Sequence, residues 1–155
     1  MISLTRRYRF SASHRLHVAS LSEAENNALF GKCNNPFGHG HDYVLSVTVA
    51  GEADSQTGLI LPVAELDELV EANVLTLVSH RNLNLDVPQL RDVVPTTENV
   101  ALFIADLLEQ VWPPESPARL VRVHVQETDR NGFEVLLGTR RPLRVADQES
   151  VAIHA

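Results

Sequence analysis

The first hydrophobic pattern along the chain has a period of two. Leu4, Tyr8 and Phe10 share one parity, while Thr5, Arg7, Arg9 and Ser11 hold the other, the alternation of a half-buried β-strand. The apolar parity runs on to Ala12 and His14, so a strand that persists that far turns His14 toward the side of Phe10. A polar stretch, 20–27, and a loop rich in Gly, Asn and Pro, 31–40, lead to a second alternating run from Tyr43 to Val49. Its odd positions are apolar, and counting back along them gives His41 and His39.

Over 62–78 the period lengthens. Val63, Leu66, Val70, Val74 and Leu77 recur at three and four, with Glu65, Asp67, Glu68 and Glu71 on the other side and Pro62 at the start, which predicts an amphipathic helix with acids where its dipole favours them. A second helix is predicted from Thr96 or Thr97, either able to cap it, with Val100, Ala101, Ile104, Leu107, Leu108 and Val111 on one stripe and Pro113 and Pro114 as its stop. Leu120 to Glu127 alternates again, Asn131-Gly132 signals a hairpin turn, and a fourth strand is expected near Phe133 to Leu137. The predicted order is strand, strand, helix, helix, strand, strand in a single domain spanning 1–155. The tail 139–155 carries no clear signal.

Composition narrows the function classes. The 155 residues include 20 Asp and Glu against 13 Lys and Arg, a net charge of −7, which argues against a nucleic-acid backbone as partner. No apolar run approaches the roughly 18 residues of a membrane span. The N-terminal segment has no apolar signal core and the lone cysteine cannot close an intramolecular disulfide, so a cytoplasmic location is expected. Seven histidines stand out in a chain with only 5% aromatic residues.

Histidines two apart on an extended segment project to one side, so His39 and His41, with Gly40 between them to admit close approach, form half of a chelate. If the first two strands pair as a hairpin, His14 meets them at one end of the sheet. Three imidazoles with an open position suit a catalytic zinc site better than a structural one, which is closed and usually contains thiolates. Glu127 is the second anomaly, a carboxylate following Val121, Val123 and Val125 on the apolar parity of its strand, costly there unless something pairs with it. His17, His124 and His154 carry no such signal and are read as solvated.

Five motifs, in order and spacing, carry a family resemblance. They are Phe10-Ser11-Ala12-Ser13-His14-Arg15-Leu16, Gly31-Lys32-Cys33-Asn34-Asn35-Pro36-Phe37-Gly38-His39-Gly40-His41, Ser79-His80-Arg81-Asn82-Leu83-Asn84-Leu85-Asp86-Val87-Pro88, Thr96-Thr97-Glu98-Asn99-Val100 and Glu127-Thr128-Asp129. Together they resemble the 6-pyruvoyl-tetrahydropterin synthase family over residues 8 to about 137. The resemblance implies an α+β tunnelling fold, a four-stranded antiparallel sheet with two helices on one face, assembled as trimers or hexamers. It implies that His14, His39 and His41 bind Zn2+, that Glu127 anchors the pterin of 7,8-dihydroneopterin triphosphate, and that Thr96, Thr97 and Glu98 lie near the pterin pocket between subunits. Cys33 matches the family's proton-abstracting residue and His80 the histidine that relays protons with it.

One position departs from the pattern. The family has Asp immediately before the relay histidine, and this chain has Ser79; a hydroxyl can orient an imidazole but lends it no charge. Asp86 is a possible stand-in acid. The implied activity is elimination of triphosphate from 7,8-dihydroneopterin triphosphate to give 6-pyruvoyl-tetrahydropterin. The alternatives are a 6-carboxytetrahydropterin synthase of the queuosine route, or a pterin-binding protein whose catalysis Ser79 has weakened. A third related branch, making a folate precursor, carries Glu in place of Cys33.

Overall fold

A computed structural model describes residues 1–138; the tail 139–155, and His154 with it, lies outside the described residues. The elements are β1 (Ile2–His14), α1 (Glu23–Phe30), β2 (His39–Gly51), α2 (Val63–Val70), α3 (Thr76–Val78), β3 (Arg81–Asn82), α4 (Thr97–Val111), β4 (Ala118–Gln126) and β5 (Gly132–Leu136). The sheet order is β3-β1-β2-β4-β5. The four long strands lie where the alternation predicts them and are antiparallel neighbours, as the family resemblance implies, and the fifth is a two-residue strand that runs parallel to β1 at Ala12 and Ser13. Two residues are too few to show a period, so β3 leaves no pattern in the sequence.

The core lies between one sheet face and the helices. Phe10, Tyr43, Leu45, Val47, Val123 and Val125 face Leu66, Val70, Val74, Val100, Ile104 and Leu108, all of them buried. Thr96 caps α4 by accepting the Asn99 N–H. Arg6, on the inward parity of β1, forks the Asp67 carboxylate of α2 at 3.0 and 2.6 Å, and the Tyr8 hydroxyl donates to the same group at 2.9 Å. That cluster ties α2 to the rim of the sheet.

Four local features depart from the simple periods. The polar stretch 20–27 contains most of α1, which has little apolar stripe; Ser22 and Glu25 form a reciprocal capping box. The buried Asn26 side chain donates to the Val18, Leu21 and Ser22 carbonyls and accepts the Val18 N–H. Between α2 and α3 a π-helical turn, Glu71–Leu75, widens the helix, so burial continues from Val74 to Val78 and leaves Leu77 37% exposed. On β4, Arg122 pairs with Thr48 and Leu120 with Val49, so Val121 is the extra residue of a bulge and the buried parity changes there. Finally, Asn131-Gly132 is not a two-residue turn. Gly132 already pairs with Gln126 in the sheet, and the connection is closed by the Asn131 carbonyl on the Glu127 N–H and by the Thr128 hydroxyl accepting from Arg130 and Asn131.

The π turn makes neighbouring residues energetically unequal. Val78→Ala should lower the unfolding free energy by about 2 kcal/mol, whereas Leu77→Ala should stay within about 0.5 kcal/mol. Urea melts of the two variants check this, and a larger loss at Leu77 would contradict the displaced face.

Candidate metal centre and active site

The hairpin register sets the centre. Phe10 lies opposite Tyr43, Ala12 opposite His41 and His14 opposite His39, so strand parity turns all three imidazoles inward at one end of the sheet. Their ring centroids stand 4.6 to 5.2 Å apart. The approach needs glycine at Gly38 rather than at Gly40. Gly38 has φ +72° and a Cβ there would meet the His14 carbonyl oxygen at 3.0 Å, whereas at Gly40 the nearest atom would be an ordinary 3.4 Å away.

His14 is fully buried, and its Nδ1 lies 2.8 Å from the Pro95 carbonyl oxygen, just before α4. A carbonyl only accepts, so Nδ1 carries the proton and Nε2 presents a lone pair to the centre. His14 Nε2 faces His39 Nε2 at 3.2 Å. His41 Nε2 and His39 Nδ1 are buried without a hydrogen-bond partner among the described residues. One nitrogen from each ring lies within 4.8 Å of the others. Ligands of a tetrahedral ion with bonds of about 2.0–2.1 Å stand roughly 3.4 Å apart, so a small closure of the cluster fits a metal ion. Unpartnered nitrogens are also otherwise costly to bury.

Glu127 points at the same cluster. Its Oε1 is 3.5 Å from His14 Nε2 and 3.6 Å from His41 Nε2, which accounts for a carboxylate on the inward parity one residue past the end of β4. Cys33 sits in a 3-10 turn, Gly31–Asn34, and lines a cavity of about 850 Å3 with Lys32, His39 and His41. Burial first, then the Glu127 charge, push its thiol above the ordinary cysteine value. Burial first, then the other imidazoles, pull His14 below its ordinary 6.5, and burial followed by His41 does the same to His39.

The α4 start is fastened to this centre through the Pro95–His14 bond. Thr96 is the cap, Thr97 is buried and Glu98 is exposed in the first turn. His80 is elsewhere. It is an exposed residue at φ +57°, its N–H donates to the Ser11 carbonyl at 2.6 Å, and it lines a separate cavity of about 490 Å3 with Ser11, Ser13, Asp42 and Arg81. Of the residues named for a site, only His41 lines both this cavity and that of Cys33. Asp86 accepts the Asn82 N–H at 2.8 Å and so closes its own loop.

Asn34 is a residue that periodicity could not single out. It is 2% exposed, and its Oδ1 takes contacts from His17 Nδ1 at 2.8 Å and Arg15 Nη2 at 3.2 Å. Its Nδ2 donates to Asn27 and Glu23, while its carbonyl accepts from Arg15 Nε. His17 is therefore engaged rather than solvated. With the Leu16 N–H on the Cys33 carbonyl at 2.8 Å, this network holds the Cys33 turn against the segment leaving β1. The signal available in the sequence was only the adjacency of Asn34 to Cys33.

Comparison with known proteins agrees with this geometry. Residues 3–136 match the family model described as 6-pyruvoyl tetrahydropterin synthase. The chain is 50% identical to human 6-pyruvoyl tetrahydrobiopterin synthase over 128 residues, 83% of this chain and 86% of the relative. The solved structure of the Caenorhabditis elegans 6-pyruvoyl tetrahydropterin synthase superposes with a TM-score of 0.80 at 41% identity, covering 87% of this chain and 94% of that one. A dihydroneopterin monophosphate aldolase from Pyrococcus furiosus is 33% identical over 97 residues, 63% of this chain and 76% of its own.

Two outcomes follow from the centre. Below about 6.5 an unfolded chain takes up protons that buried His14 and half-buried His39 refuse, so acid favours unfolding and displaces any ion from the neutral nitrogens. The gain in melting temperature on adding zinc should therefore shrink steadily from about pH 7.5 to pH 5, and a constant gain would contradict the imidazole cluster as its source. Asn34→Ala should cost about 1–3 kcal/mol and slow alkylation or turnover at Cys33 by roughly tenfold or more with metal content unchanged. Normal thiol reactivity in that variant would remove Asn34 from the positioning of Cys33.

Proposed function

The chain belongs to the 6-pyruvoyl tetrahydropterin synthase family, and we propose that it is a lyase removing triphosphate from 7,8-dihydroneopterin triphosphate to give 6-pyruvoyl-tetrahydropterin. The observation that carries this reading is the convergence of His14, His39 and His41 beside a cavity that also holds Cys33. Zn2+ is the proposed occupant of the imidazole cluster. Such an ion withdraws electrons from substrate oxygens and so acidifies the neighbouring C–H bonds.

The chain's own groups have separate tasks. His14 offers one fixed lone pair, because the Pro95 carbonyl holds its tautomer. Cys33 takes the substrate proton; its raised pKa makes it a thiol in isolation, and positive charge gathered in the cavity is what favours the thiolate. Glu127 accepts hydrogen bonds from the bound pterin, and its position supports contact with the end of the substrate that reaches the imidazoles. Thr96, Thr97 and Glu98 contribute to the pterin pocket from the α4 start.

His80 completes the relay from a second copy of the chain. Cys33 and His80 line different cavities of one chain, so the pair closes between subunits of a trimer or hexamer. The sheet supports such an assembly. β3 covers β1 only at Ala12 and Ser13, and β5 is the outer strand at the far side, leaving two edges for further pairing. No helix of the described residues is long and apolar enough to cross a membrane, and a cytoplasmic enzyme is part of the same reading.

Metal-loaded protein incubated with 7,8-dihydroneopterin triphosphate should release inorganic triphosphate, and mass spectrometry should find the 6-pyruvoyl product. Acetaldehyde as coproduct would instead indicate the queuosine-type reaction, and no triphosphate release would refute the lyase. Cys33→Ala should keep its metal and lose at least about 100-fold in turnover; an active variant would exclude Cys33 as the base.

A further inference from the structure

The relay histidine has lost the acid that its family places before it, and the fold brings another carboxylate to the same cavity. This inference rests on the reading of His80 as the relay histidine. Ser79 can offer only a hydroxyl. Asp86, the nearer candidate in sequence, is engaged by the Asn82 N–H. Asp42 is different. It lies opposite Ser11 in the β1–β2 register, and Asp42 and His80 both line one cavity.

Ser11 joins the two. Its carbonyl accepts the His80 N–H at 2.6 Å, and its hydroxyl donates to Asp42 Oδ1 at 2.5 Å. The backbone anchor and the left-handed φ of His80 fix where its side chain leaves the chain. The hydroxyl contact fixes the carboxylate on the neighbouring strand through one of its two oxygens. Arg81 and His41 are the other ionisable groups lining the cavity. Neither can supply negative charge, so Asp42 is the carboxylate of that cavity. We propose that Asp42, held by Ser11, is the positioning residue for His80 and supplies the charge that Ser79 cannot.

A compensation of this kind has a reciprocal test. In the metal-loaded full-length protein, Asp42→Asn should lower kcat about tenfold or more, with KM within about twofold and metal content unchanged. Adding Ser79→Asp to that variant should bring kcat back to within about threefold of the starting protein, because the acid returns beside His80. Ser79→Asp alone should change little. Full activity of Asp42→Asn overturns the inference. So does a loss that Ser79→Asp fails to recover, or a loss that tracks missing metal, since Asp42 would then act through His41 or the fold. An unmodified protein that releases no triphosphate overturns the lyase reading instead, so the two failures are distinguishable.

Discussion

Everything at the site depends on the antiparallel register of β1 and β2. Pairing His14 with His39 and Ala12 with His41 turns three imidazoles to one side of the sheet. A slip by one residue would send the β1 histidine to the opposite face. The register is held over thirteen pairs, from Ile2 with Gly51 to His14 with His39, and by the apolar parity of both strands against the helices. The same core packing that makes the domain stable therefore also sets the geometry of the centre. The Pro95 carbonyl adds the last constraint, because it decides which nitrogen of His14 faces inward.

The electrostatics of the centre are those of a site built for added positive charge. His14 and His39 are held neutral by burial, Glu127 lies against the imidazole nitrogens, and the Cys33 thiol is pushed up by burial and by that same carboxylate. Each group alone is in an unfavourable setting. Neutral imidazoles, a carboxylate only 13% exposed and a thiol are better accommodated with a cation among them.

Period-two and helical patterns made much of this legible before any coordinates. Parity placed His14, His39, His41 and Glu127 on inward faces, and the four long strands and two main helices lie where alternation and periodicity put them. The failures have specific causes. Val121 and the Glu71–Leu75 turn each insert a residue into a regular repeat, and a single insertion changes which residue is buried next. α1 depends on the Asn26 side chain and a capping box, polar interactions that a hydrophobic pattern does not record. Gly38 rather than Gly40 allows the close approach because the tight contact is with the His14 backbone across the strands, a tertiary distance. Asn34 escaped for the same reason, since its four partner residues, Arg15, His17, Glu23 and Asn27, lie on β1's exit segment and on α1.

The separation of Cys33 and His80 carries a further consequence. Strand parity sends Cys33's neighbours His39 and His41 inward, while Ser11 and Asp42, the residues that border His80, belong to the opposite parity of the same two strands. Within one chain the two groups thus line separate cavities, which share only His41 among the residues named for a site. The proposed relay therefore needs a second copy of the chain, one copy supplying the Cys33 cavity and the other the His80 cavity. In the proposed assembly, the outer strand β5 and the stretch of β1 that β3 leaves uncovered would pair with other copies, so that one contact would close both the strand edges and the relay. In the same proposal the Ser11–Asp42 pair, on the same chain as His80, is already formed within that chain, and the proposed interface has only to bring the thiol to it.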